Sequence, residues 1–160
     1  NSTVTSNTFE LAGSAVTTSD GSYSMSFDRK KITEFKLNIT KEGYFKKDIL
    51  ISAGDVSSEN VNTINYQMEA ESWVNFDIQN TGLADASDNF TLILYNYRKD
   101  CEDCATDDYN YFPGITDTNF KFLSNAGEYL RFTYFMVGGQ SYNDSIYMTP
   151  FDTLNYSIDY

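Results

Sequence analysis

The stretch from Thr18 to Phe27 reads T-S-D-G-S-Y-S-M-S-F. It is followed by F-K-L-N-I-T over residues 35–40 and K-E-G-Y-F-K-K over residues 41–47. Tyr23, Met25 and Phe27 alternate with Ser22, Ser24 and Ser26, so an extended chain here has one apolar face and one row of hydroxyls. Phe35, Leu37 and Ile39 repeat the period of two, and Ile49 and Ile51 begin it again. Alternation bounded by turn chemistry predicts half-buried antiparallel strands. Asp20-Gly21 and Gly43 mark the turns, because glycine takes a positive φ without steric cost.

Beyond this stretch the pattern continues. Residues 52–60 read as a loop, and Ile64, Tyr66 and Met68 predict a further strand. Alternation resumes with Val74, Phe76 and Ile78 after Glu69-Ala70-Glu71, which places a short junction near Ala70. Residues 80–89 are turn-rich. Phe90 to Tyr97 is a near-continuous apolar run, as a central strand covered on both faces would be. Residues 98–118 read as a long acidic loop. Phe120 to Phe122, Tyr129 to Val137, Ile146 to Met148 and the segment of Leu154, Tyr156 and Ile158 predict the remaining strands. Each half is about large enough to bury roughly 60% of its unfolded surface, marginal for standing alone. The expected fold is all-β: two small antiparallel β-sandwiches in tandem, residues 1–69 (with 1–14 a polar loop) and 70–160.

The order of Asp-Gly turn, strand, turn, strand, Gly43-Tyr44 and strand resembles the carboxypeptidase regulatory-like domain, a small transthyretin-like β-sandwich, over about residues 15–69. The family usually opens with two strands that have no counterpart in residues 1–14. The resemblance implies a non-catalytic accessory module of the kind common on bacterial surface lipoproteins, secreted hydrolases and outer-membrane receptors. In overall character the chain is similar to two-sandwich lipoproteins of Bacteroidetes-type bacteria, so an extracytoplasmic location is expected: cell surface, outer membrane through a lipid anchor outside this chain, or secreted.

Aromatic residues make up 16% of the chain, with 13 Tyr and 12 Phe, while only two Pro occur. The net charge of −12 is uneven. Residues 1–70 hold 7 Lys/Arg against 9 Asp/Glu, whereas residues 71–160 hold 4 against 14. Such a surface repels phosphate backbones and excludes nucleic acid as an expected partner. Arg29-Lys30-Lys31 is too short a run to change that. No segment has the run of about 18 apolar residues that a membrane helix needs.

Cys101 and Cys104, in D-C-E-D-C-A, are the two cysteines. With no histidine in the chain, a four-ligand zinc site lacks donors. Neighbouring carboxylates would raise a thiol pKa rather than activate it, so a disulfide pinning the loop is expected. Asp100, Glu102, Asp103, Asp107 and Asp108 are a candidate calcium site, although the spacing differs from the EF-hand pattern. Asp85 and Asp88 form a weaker cluster suited to turns. Tyr109 and Tyr111, with the single tryptophan Trp73, are candidate ligand-binding aromatics, Tyr95, Tyr97 and Phe112 lying near the same loop. Five N-x-[ST] sequons occur, at Asn1, Asn38, Asn89, Asn143 and Asn155.

Without histidine the Ser-His-Asp and Cys-His arrangements cannot form, and no phosphate-loop or dinucleotide fingerprint is present. The expected function is non-enzymatic: a structural or interaction protein of the bacterial surface. The alternatives are a carbohydrate- or peptide-binding surface lipoprotein, and a non-catalytic fragment of a larger secreted hydrolase. Any ligand, whether glycan or surface protein, is expected to engage the second half through the loops after Asn80 and Asp100.

Overall fold

A computed structural model describes residues 8–27, 32–82, 89–99, 101–114, 117–136 and 139–160. Among them the protein is all-β, with nine strands and no α-helix. The chain divides into two compact units. One takes Asn1–Asn38 with Asp48–Tyr66, and the other takes Ile39–Lys47 with Gln67–Tyr160.

The second unit contains seven strands: β3 (Glu71–Gln79), β4 (Phe90–Tyr95), β5 (Asp108–Phe112), β6 (Thr118–Asn125), β7 (Tyr129–Met136), β8 (Ser141–Tyr147) and β9 (Thr153–Asp159). They form a three-stranded sheet in the order β6-β3-β9 and a four-stranded sheet in the order β5-β4-β7-β8. The two sheets share one core, a sandwich-like arrangement. Val74, Phe76 and Ile78 from β3 and Ile158 from β9 meet Phe90, Leu92 and Leu94 from β4 and Leu130 and Phe132 from β7. Phe76 and Phe132 cross this layer edge-on at 5.2 Å, and Tyr156 packs edge-on against Phe132 at 5.0 Å. Period-two alternation explains the layering, since each strand sends every second side chain inward. β4 is the central run expected of the sequence, buried at Phe90, Thr91, Leu92 and Leu94.

Three details depart from the expected pattern. The strand pairs are antiparallel except one: β3 and β9 run parallel, Trp73 opposite Thr153 through Gln79 opposite Asp159. Alternation specifies which face is buried but not which way a neighbour runs. β4 stops at Tyr95 rather than Tyr97, because the Asp107 carboxylate accepts from the Asn96 and Tyr97 amides at 2.5 and 2.7 Å and draws the chain out of the ladder. Residues 98–118 are not all loop: Asp108–Phe112 forms β5 and pairs with β4. Val137, at the expected end of β7, lies outside the described residues.

In the first unit, β1 (Glu34–Ile39) and β2 (Lys47–Ser52) form a two-stranded sheet. Phe35, Leu37 and Ile39 share its half-buried face, and on the exposed side Lys36 pairs with Asp48 at 2.7 Å. The Asp-Gly turn forms: Gly21 donates to the Thr18 carbonyl at 2.9 Å and takes φ 83°. The strands expected at 23–27 and 64–68 do not. Both segments lie outside any sheet, tied by a bond from the Tyr23 hydroxyl to the Ile64 carbonyl at 3.3 Å. Tyr23 and Phe27 are exposed and Met25 half-buried, so neither segment gains the apolar burial that would reward a ladder. No described residue of this unit is buried.

Candidate functional site

The outward face of the four-stranded sheet is set by register. Because Phe90, Leu92 and Leu94 point into the core, Thr91, Ile93 and Tyr95 point out, and their partners share that face. One row runs Tyr111, Thr91, Phe135 and Ser141; the next runs Tyr109, Ile93, Thr133 and Asn143. Tyr95 faces Arg131, and Tyr129 faces Tyr147 with rings 5.3 Å apart. Five tyrosines on this face, Tyr95, Tyr109, Tyr111, Tyr129 and Tyr147, are exposed by 47–62%. Between them lies a polar row in which the Thr133 hydroxyl donates to the Asn143 side chain at 2.6 Å. These rings project from paired strands rather than from a loop.

Trp73 does not belong to it. With Val74 and Phe76 in the core, Trp73 lies on the outer face of the three-stranded sheet, so Tyr109 and Tyr111 cannot form one site with it. It lines instead a recess of about 400 Å3 together with Glu42, Gly43, Glu71 and Phe151. Two turns build this recess. Tyr44 donates to the Lys41 carbonyl at 3.1 Å, closing a turn with Gly43 at φ 77°. Asp152 donates to the Thr149 carbonyl at 3.3 Å, closing a second turn with Phe151 at φ 64°. Proline before a residue of positive φ is the type II pattern, and that position favours glycine. Here it holds a phenylalanine, the one non-glycine residue of positive φ among those described.

Hydrogen bonds fix this turn against β3. Phe151 donates to the Glu71 carbonyl and Trp73 to the Asp152 carbonyl, both at 2.9 Å. The buried Ser72 hydroxyl donates to the Thr149 carbonyl at 2.8 Å. The Phe151 ring then packs on Tyr44 at 5.0 Å and over Gly43, where an added Cβ would lie 3.0 Å from it. Lysines sit on two of the rings, Lys41 over Tyr44 at 4.3 Å and Lys121 over Trp73 at 4.6 Å. Among the described residues the Glu42 and Glu71 carboxylates make no ion pair or hydrogen bond.

The acidic loop is pinned at several points. Cys101 and Cys104 are disulfide-bonded, with Cα atoms 5.4 Å apart. The loop hangs on Asn125, which is fully buried: its amide donates to the Asn96 carbonyl at 2.7 Å and the Ala105 carbonyl at 3.2 Å, and its carbonyl oxygen accepts from Ala105 at 3.0 Å. Asp107 is turned onto backbone amides, and Asp108 accepts from the Asn110 side chain at 3.2 Å. Among the described residues no three acidic, cysteine or histidine side chains group as metal ligands; Asp100, Asp85 and Asp88 lie outside them. A calcium ion needs six to eight converging oxygens, and the carboxylates of Asp107 and Asp108 are turned to separate protein partners.

At the edge of the four-stranded sheet the Tyr156 hydroxyl donates to Asp144. That bond holds the Asp144 carboxyl below its ordinary range, while desolvation followed by the bond itself pushes Tyr156 up. Sequence reasoning singled out Tyr109, Tyr111 and Trp73 but not Glu42, Tyr44, Glu71 or Phe151. The T-P-F-D turn was the available signal, and the phenylalanine in place of glycine hid it. The chain matches no family model, no curated protein and no solved structure.

Proposed function

We propose that this chain is a non-enzymatic, extracytoplasmic interaction module of a bacterial cell surface, and that its tyrosine-lined sheet face binds a neutral glycan. The observation that carries this reading is the set of five exposed tyrosines on one face of the sheet, with the Thr133 hydroxyl and the Asn143 amide on the same face. Sugars offer apolar C–H faces to stack on rings and hydroxyls to bond to side chains, and a face of this composition meets both demands. The net charge of −12 disfavours acidic polymers by repulsion, which narrows the glycan to a neutral one.

A disulfide suits an oxidising compartment, and a chain without histidine lacks the usual base for nucleophilic catalysis. The tandem arrangement of two sandwiches, the first transthyretin-like, is part of this proposal. Its second member rests on the shared core of residues 67–160, its first on the β1–β2 sheet and the turn at Gly21. Membrane attachment through a lipid outside this chain belongs to the same reading.

A glycan array probed with the whole chain tests it, repeated with Tyr109→Ala and Tyr111→Ala. Retention of a neutral glycan that both substitutions weaken is the expected result. Binding indifferent to both substitutions, or no glycan bound at all, overturns the reading.

A further inference from the structure

We infer that the recess lined by Glu42, Glu71, Trp73 and Phe151 is a second binding site, which takes the cationic end of a lysine or arginine side chain presented by a peptide. The recess is separate from the tyrosine face, which lies on the opposite sheet. It is an open recess of about 400 Å3, with room for the end of one long side chain. Its chemistry is of two kinds. Aromatic walls attract a cation through the negative face of the ring, and two carboxylates offer charge-assisted hydrogen bonds to an ammonium or guanidinium group.

One wall already takes an ammonium group: Lys121 stands 4.6 Å from the centre of the Trp73 ring. Beside the recess, Lys41 stands 4.3 Å from the centre of the Tyr44 ring. Neither lysine reaches Glu42 or Glu71, so the two carboxylates at the recess lack a cation among the described residues. The surrounding field favours one, since the second unit, residues 39–47 and 67–160, carries 16 acidic against 7 basic side chains.

The recess is also held in shape before any ligand arrives. Glu71 and Trp73 are alternate residues of one strand. Glu71 donates its amide to the Gly43 carbonyl at 2.8 Å and accepts from Phe151 at its own carbonyl. The two turns that carry Glu42 and Phe151 are therefore bolted to the same residue. Preorganisation of this kind lowers the ordering cost of binding.

Trp73 is the single tryptophan, so its fluorescence reports on this site alone. The probes are Nα-acetyl-lysine amide and Nα-acetyl-arginine amide, with Nα-acetyl-norleucine amide as the uncharged control of similar length. We expect a saturable change in Trp73 emission with the two cationic probes and none with norleucine. Glu42→Gln combined with Glu71→Gln, which keeps the shape and removes the charge, should weaken the response at least tenfold. Tyr109→Ala should leave it unchanged. An equal response to norleucine, the absence of a saturable response to either cation, or a response that survives the double glutamine variant overturns the site. The comparison of lysine with norleucine on the unaltered chain decides the matter even if the double variant does not fold.

Discussion

The two units carry the same period-two alternation, yet the second encloses a cluster of ten buried residues while no described residue of the first is buried. Val74, Phe76 and Ile78 alternate no more cleanly than Tyr23, Met25 and Phe27. What separates them is company. β3 has a hydrogen-bonded neighbour on each edge, β6 and β9, and a second sheet above its apolar face. Residues 23–27 have neither, and their side chains stay at the surface. Alternation states that a strand could bury one face; a partner edge and an opposing layer decide whether it does. The difference teaches that burial is a property of the assembled layers, which a single segment does not encode.

The contrast makes stability predictions that differ sharply between the units. Phe132→Ala, at the centre of the second core, should cost about 3–5 kcal/mol, whereas Phe35→Ala on the half-buried face of β1 should cost less than about 1 kcal/mol. Chemical denaturation followed by tyrosine and tryptophan emission measures both. A cost at Phe35 equal to that at Phe132 would mean that the first unit has a core of its own. Asn125→Ala comes next. It removes three hydrogen bonds to buried backbone, with an expected loss of about 2–3 kcal/mol. Faster proteolysis between residues 97 and 106 should accompany it.

Two glycines with nearly the same backbone extend the comparison. Gly43 and Gly21 have φ of 77° and 83°, but a side chain at Gly43 would meet Phe151 while one at Gly21 meets nothing within 4 Å. Gly21→Ala should therefore cost only the backbone penalty of about 1 kcal/mol, and Gly43→Ala about 2 kcal/mol. Phe151→Gly runs the other way. Relief of the left-handed conformation, about 1–2 kcal/mol, is offset by the lost ring pair with Tyr44, about 0.5–1.5 kcal/mol. Its melting temperature should stay level or rise slightly.

The smallest effect is a titration in the first unit. Hydrogen bonds from Thr18 and Ser22 lower the Asp20 carboxyl from its ordinary 3.8 to about 2. A lowered carboxyl adds stability that is present above its unfolded value and is lost as pH falls through the folded one. The window is therefore about pH 4 down to 2, read from the Asp20 side-chain carbon shift by nuclear magnetic resonance. A midpoint at 3.8 would show that the turn does not hold the carboxylate.

Much of the second unit was legible from pattern. Val74, Phe76, Leu92, Leu94 and Phe132 lie in segments that the pattern marks as strands, and all are buried in one core; Tyr134, in the same run as Phe132, is half-buried against it. Three features were not legible, each for a definite reason. β5 hid inside the acidic loop because Asp108 and Asn110 occupy its inward positions, and polar residues there break the apolar half of the alternation. Trp73 could be assigned to the outward face of its strand, but which sheet that strand joins is a long-range choice. The Phe151 turn was hidden because positive φ at a phenylalanine is paid for by bonds from Glu71, Ser72 and Trp73, some 80 residues away in sequence.

The parallel pairing of β3 with β9 has a mechanical consequence. These are the first and last strands of the second unit's seven, and they run the same way, side by side. Tension applied through segments flanking the two ends would pull β3 and β9 in opposite directions along their common axis. That is a shearing load, which must break the ladder from Trp73–Thr153 to Gln79–Asp159 together. An antiparallel pair pulled from adjacent ends would instead unzip one bond at a time. The geometry thus makes the second unit resist traction applied through the outer ends of β3 and β9, because its ladder bonds share the load.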